Sequence, residues 1–194
     1  GPSYTINTAC SSGGDALAMA GTMILAGQAD AMIVMGGENG LCEVTISSLA
    51  QAKALSRNND NPKAACRPFD ADRDGFIMGE GGGALIVESE EHALQRGAEI
   101  FAELAGYANT SDGYHVTSPD PEGTGAINCM RLALSMAEMK PEDIGYINAH
   151  GTSTPLGDPI ETRAIKAVFG QNPPPVSSTK GATGHLMGAG GITE

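Results

Sequence analysis

The 194-residue chain contains no tryptophan, and aromatic side chains make up only 4% of it. Basic side chains are also scarce: 11 Lys and Arg stand against 23 Asp and Glu, for a formal net charge of −12. A nucleic-acid partner needs a basic face, and single strands need stacking platforms; the sequence offers neither. An acidic protein has no general attraction for an anionic membrane surface. No apolar run approaches the ~20 residues of a membrane-spanning helix, and nothing reads as a signal peptide. The four cysteines, Cys10, Cys42, Cys66 and Cys129, are far apart and form no CxxC. That spacing argues against a disulfide framework or a zinc site and fits a reducing, intracellular compartment. There is no initiator methionine, and the last residues, 190–194, read as the start of a helix. The expectation is a piece of a longer chain.

What is present is a repeated local pattern: a short apolar run, a turn of small residues, then a helix. Residues 4–8 read as a short strand leading to Cys10, followed by Ser11-Ser-Gly-Gly14 and an Ala/Leu/Met helix over 15–26. Cys10 therefore sits at or near a helix N-terminus, where the dipole favours a thiolate. Taken alone it reads more readily as a buried structural cysteine that begins a helix. Residues 31–35 and 84–88 read as buried strands. Ser89 is a candidate N-cap for a helix ending before Gly97. Strands alternating with helices argue for a layered α/β fold. Residues 100–108 form a further strand candidate, and 109–125 a long polar loop of the sort that often carries function. The spacing predicts a helix over 124–139, with Ile127, Met130, Leu134 and Ala137 on one face.

The block Arg67-Pro-Phe-Asp-Ala-Asp-Arg-Asp-Gly75 opens like a calcium loop, but Gly81 stands where the twelfth-position glutamate is required. It is read instead as a turn held by Asp–Arg pairing and Asx hydrogen bonds. Further on, a strand over 144–148 delivers His150 into a Gly/Thr/Ser turn. A helix over 159–169 follows, with Asp158 its candidate N-cap. A second junction of the same kind carries Lys180 and His185 out of a strand over 176–180. A lone His or Lys at such a position could be structural. One thiol, two imidazoles and an ammonium at three such junctions make a nucleophile with electrophilic stabilisers.

The blocks Asn7-Thr-Ala-Cys-Ser-Ser12, Asn148-Ala-His-Gly-Thr-Ser-Thr154 and Ser178-Thr-Lys-Gly-Ala-Thr-Gly-His185, with the 67–75 block, resemble the β-ketoacyl-acyl carrier protein synthases. The elongating synthase II type is the most similar. The resemblance covers essentially the whole chain. It implies a thiolase-like layered αβαβα fold, here incomplete, lacking the first amino-terminal strands and the carboxy-terminal end. Residues 1–97 would be the remnant of the amino-terminal half and 98–194 most of the carboxy-terminal half. It implies a cytoplasmic acyltransferase of fatty-acid biosynthesis, a homodimer at full length. Its partner is acyl carrier protein, and it needs no cofactor and no metal.

By the same resemblance Cys10 takes the acyl chain as a thioester. His150 and His185 stabilise the enolate left when malonyl thioester loses carbon dioxide, and Lys180 supports their network with Glu194 as its acidic partner. Thr152 and Thr154 hydrogen-bond the pantetheine arm, Thr117 and Ser118 belong to a mobile entrance loop, and Asp158 is a structural acid beside the histidine turn. The Cys10 N–H is one oxyanion donor; the family's second lies in a Phe-containing glycine-rich loop that this sequence does not contain. Lys53 matches the carrier-docking region. A polyketide-type ketosynthase is the alternative, and an inactive fragment or non-catalytic module a further one. The paired histidines argue against a degradative thiolase, and Cys10 against a chain-length factor.

Overall fold

A computed structural model describes residues 1–194. In chain order it contains α1 (Ser12–Leu25), β1 (Ala31–Glu38), α2 (Glu43–Gln51), β2 (Gly81–Glu88), α3 (Glu90–Gln95) and α4 (Thr124–Met136). These are followed by β3 (Ile147–Asn148), α5 (Gly157–Phe169), β4 (Val176–Ser177), α6 (Lys180–Thr183) and α7 (Gly190–Thr193). No helix is long and apolar enough to cross a membrane. The chain divides into two compact units interleaved in sequence.

The first unit comprises Gly1–Asn39, Glu80–Ala105 and Leu186–Glu194. Its frame is the antiparallel pair β1–β2, in register from Ala31 opposite Glu88 to Glu38 opposite Gly81. Directly opposite residues share a face of such a ribbon. The Met32/Val87 and Val34/Leu85 face turns toward the helices, and Val34 is buried. Ile33, Ile86 and Met35 on the other face are 67%, 67% and 72% exposed. The apolar runs therefore form strands where expected, but each is covered on one side only. Glycines let the layers approach. A Cβ on Gly13 of α1 would lie 2.8 Å from the Ile192 nitrogen, and one on Gly36 of β1 3.2 Å from the Ala189 Cα. The predicted cap of α3 is present, with Ser89 Oγ accepting from the His92 N–H at 3.3 Å. Gly97 follows in a left-handed conformation, φ +67°.

The second unit comprises Gly40–Gly79 and Gly106–His185. Here β3 and β4 pair in parallel, Ile147 with Val176 and Asn148 with Ser177. Residues 55, 76, 78 and 185 are joined by isolated parallel bridges. Helices α4 and α5 pack on one another. Ile127, Met130, Leu134 and Ala137 all fall on the partly covered side of α4, as their spacing predicts. The largest fully buried side chains are Lys180, His185, Asp158 and Ser153. Cores normally exclude such groups unless each is paired, so these mark where the fold is built for something besides packing.

Three local expectations fail. Neither 4–8 nor 100–108 forms a strand; the sheets consist of β1–β2 and β3–β4 alone. Short β-prone runs become strands only where a neighbour shares the ladder. Asp158 is not the N-cap of α5. Leu156 holds that position, and the Gly157 N–H is satisfied by the Thr154 hydroxyl at 3.1 Å. That frees the Asp158 carboxylate for partners farther along the chain.

Candidate active site

In the first unit Cys10 occupies a single 3-10 turn, Ala9–Ser11, that runs directly into α1. The turn is strained: Ala9 has φ +55°, a left-handed value uncommon for a residue with a Cβ. Small hydroxyl residues hold it there. The Ser12 hydroxyl donates to the Ala9 carbonyl at 2.7 Å and accepts from the Thr8 N–H at 2.9 Å. The Ser11 hydroxyl bonds the Asp15 carboxylate and the Thr8 carbonyl, each at 3.0 Å, and the Thr8 hydroxyl also reaches Asp15. The half-buried thiol is thus presented at the positive end of a 14-residue helix. None of the four cysteines is in a disulfide. Glu194 closes the same unit; its carboxylate lies over Gly190, within 3.4 Å of where a Cβ would sit.

In the second unit the ends of β3 and α6 bring two imidazoles to one place. His150 follows β3, and His185 follows α6 on a backbone bridge, donating its N–H to Ile77 O at 2.7 Å and accepting from Gly79 N at 3.0 Å. The rings meet edge to face with centroids 5.3 Å apart at 85°. Phe76 also meets His185 edge to face, with centroids 5.0 Å apart at 83°. His150 is exposed and His185 is 2% exposed. Burial, reinforced by the charges of His150 and Lys180, pushes the His185 pKa down to about 3. At neutral pH this imidazole is therefore uncharged. Lys180 is fully buried at the start of α6.

The histidine turn has a support that sequence reasoning missed. Glu161, on α5, accepts the backbone N–H groups of both His150 and Gly151, one on each carboxylate oxygen, at 2.7 Å. Burial raises its pKa, while the two N–H bonds pull the other way. The only local signal is spacing: Glu161 follows Asp158 by three residues, which puts both acids on one helix face. Beyond Gly151, the Thr152 and Thr154 hydroxyls lie 3.1 Å apart around a buried Ser153 with φ +66°. Thr117 and Ser118 lie in the long loop before α4, where both backbone N–H groups are accepted by His115 Nδ1 at 3.1 and 3.2 Å. So His150, His185, Lys180, Thr152, Thr154, Asp158, Thr117 and Ser118 belong to the second unit, whereas Cys10 and Glu194 belong to the first.

Comparison with known proteins places these features in a family. The N-terminal domain model of β-ketoacyl synthases matches residues 1–93, and the C-terminal domain model matches residues 101–194. The 3-oxoacyl-[acyl-carrier-protein] synthase 2 of Rhizobium meliloti is 47% identical over the whole chain, and that of Synechocystis is 50% identical. The chain spans about half the length of these curated relatives, 47% of each. Among solved structures, the ketosynthase held with its type II polyketide acyl-carrier protein, AntDE:AntF, superposes with a TM-score of 0.93 at 44% identity. That match covers 96% of this chain and 47% of the other. A β-ketoacyl synthase from Burkholderia phymatum gives a TM-score of 0.90 at 40% identity, covering 95% of this chain and 44% of its own. The fold is accordingly the layered, thiolase-like α/β fold of ketosynthases. The two domain models together cover nearly the whole chain: the chain belongs to the β-ketoacyl synthase family.

Proposed function

We propose that the protein to which this chain belongs is an elongating β-ketoacyl-acyl carrier protein synthase. The observation that carries the reading is the edge-to-face pair His150–His185, whose buried member is held neutral. The Cys10 sulfur attacks the thioester carbonyl of an acyl carrier protein, forming an S-acyl bond and releasing the carrier thiol. Malonyl-carrier protein then binds through its pantetheine arm, which Thr152 and Thr154 would hydrogen-bond and which would pass Thr117 and Ser118 in the entrance loop. The bond between the malonyl carboxylate and its methylene breaks, carbon dioxide leaves, and the electron pair passes to the thioester oxygen as an enolate. Donors already aimed at a developing oxyanion lower such a barrier without reorganising; His150 and His185 supply them. The enolate carbon attacks the acyl carbonyl on Cys10, and expulsion of the thiolate gives the ketoacyl product two carbons longer. The Cys10 N–H is one oxyanion donor for that step. Lys180 supports the imidazoles, with Glu194 as the acidic member of the network and Asp158 as a structural acid.

The family models divide near residue 97, which supports halves of 1–97 and 98–194. Acyl carrier protein is the proposed partner, a cytoplasmic homodimer the proposed state, and exposed Lys53, past α2, a proposed part of the docking surface. A polyketide-type ketosynthase is the second reading, favoured by the similarity to AntDE:AntF.

The test uses the full-length chain with acyl- and malonyl-carrier protein, following the protein by intact mass. The expected outcome is acylation lost in Cys10→Ala, and acylation kept but malonyl decarboxylation lost in His150→Ala and His185→Ala. A His185→Ala variant that condenses normally overturns the assignment. Poly-β-keto products would select the polyketide reading. A wild-type chain that never acquires an acyl group at Cys10 would leave a non-catalytic module.

A further inference from the structure

The 67–75 block is more than a surface turn. It is bonded along its length to the turn that follows His150. The Arg67 N–H donates to the Ser153 hydroxyl at 3.0 Å, and the Gly75 N–H donates to the Ser153 carbonyl at 2.9 Å. Asp158, 1% exposed, accepts the Phe69 N–H at 2.7 Å on one oxygen and the Thr154 N–H at 3.2 Å on the other. The ring of Phe69 reaches Gly151, where a Cβ would stand 3.0 Å from it. Arg73 completes the hold. Its Nε donates to the Thr154 carbonyl at 3.0 Å and Nη2 to the Pro155 carbonyl at 3.2 Å, while Nη1 ties back to the Asp70 carbonyl at 2.7 Å. Its Nε is 3.7 Å from the Asp158 carboxylate.

Thr154 is thus gripped at both backbone groups, its N–H by an anion and its carbonyl by a cation. Its neighbour Ser153 is fixed in a left-handed conformation that a free chain would abandon. The side chains set by this grip are the hydroxyls of Thr152 and Thr154, 3.1 Å apart. We infer that Arg73 is a positioning residue: its planar fork fixes the Thr152–Thr154 hydroxyl pair for the amide groups of a pantetheine arm. The inference rests on the reading of that pair as the pantetheine site. Only a guanidinium spans two successive carbonyls and a carboxylate from one plane; an ammonium is a point charge that satisfies fewer of them.

The experiment compares two malonyl thioesters on the full-length chain, one of pantetheine and one of N-acetylcysteamine, which lacks most of the arm. In Arg73→Ala, KM for the pantetheine thioester should rise about tenfold, the loss of a well-made hydrogen bond or two. KM for the truncated thioester, kcat and the rate of Cys10 alkylation by iodoacetamide should change less than about twofold. Arg73→Lys should fall between wild type and Arg73→Ala, and added guanidinium should restore Arg73→Ala toward wild type. Equal losses with both thioesters, or a fall in alkylation that tracks a lower melting temperature, would reduce Arg73 to a structural residue and overturn the inference. A wild-type protein that condenses neither thioester would instead overturn the functional reading beneath it.

Discussion

Gly13 and Gly14 are consecutive residues in the first turn of α1 and should respond to alanine with opposite signs. In an ordinary helix, alanine in place of glycine stabilises by about 1 kcal/mol, largely by narrowing the unfolded ensemble. A Cβ on Gly14 meets nothing within 4 Å, so Gly14→Ala should realise most of that gain. A Cβ on Gly13 would lie 2.8 Å from Ile192 N, 2.9 Å from Gly191 C and 3.0 Å from Gly191 Cα. All three obstacles are backbone of α7, so no flexible side chain can swing aside. Relief requires moving one helix about half an ångström, and overpacking of this kind costs roughly 1–3 kcal/mol. Three rigid backbone obstacles at once put the cost in the upper part of that range, about 2–3 kcal/mol, so the net for Gly13→Ala is a loss of about 1–2 kcal/mol. For a chain of this length that lowers Tm by roughly 2–8 °C, against a rise of about 1–4 °C for Gly14→Ala. Thermal melts of the two variants beside wild type read the difference directly. Because the turn that holds Cys10 runs directly into α1, the rate of Cys10 alkylation should change in Gly13→Ala as well. A Gly13→Ala protein that melts at or above wild type, or variants that shift together, would refute close packing of α1 on α7.

Two further outcomes follow from local chemistry. His185 has a folded pKa of about 3 against 6.5 for an unperturbed histidine. Above about pH 6.5 the ring is neutral whether the chain is folded or not; below it the unfolded ring binds a proton that the buried one refuses. Its contribution to stability is therefore full above the ordinary value and drains away as pH falls from 6.5 toward 3. Urea midpoints at pH 7 and pH 5 should differ less in His185→Gln than in wild type, and parallel pH dependences would exclude a neutral buried imidazole. Ser89→Ala should cost about 1 kcal/mol and remove hydrogen-exchange protection at the His92 amide, whereas Ser89→Asn should keep both. An unchanged His92 amide in Ser89→Ala would mean that the cap bond contributes nothing.

Much of the secondary structure was readable from short-range patterns. The apolar face of α4, the Ser89 cap with Gly97 behind it, and the apolar runs of β1 and β2 are decided within a turn or two of the helix or a few residues of a strand. Local energetics there point the same way as the fold. The residues proposed as catalytic were singled out for a similar reason: Cys10, His150 and His185 each sit near a junction where a short run gives way to small residues. Reading stopped at long-range bonding. Asp158 looked like a helix cap because Pro159 follows it, yet its carboxylate serves Phe69, 89 residues away in the chain. Glu161 looked like any acid on an amphipathic helix, and only the folded chain turns both its oxygens to the histidine turn.

Chain order alone, then, settles where helices begin and stop and which turns carry a thiol or an imidazole, because capping, glycine conformation and side-chain period act over a few residues. Burial cannot be had that way. Lys180 and Ser153 are fully enclosed and Ile33 and Met35 face outward, the reverse of what their chemistry suggests, because enclosure depends on which segments far apart in sequence are packed against each position. The neutrality of His185 is of the second kind: a ring titrates as its surroundings dictate, and those surroundings are Phe76, His150 and Lys180, residues that only folding brings together.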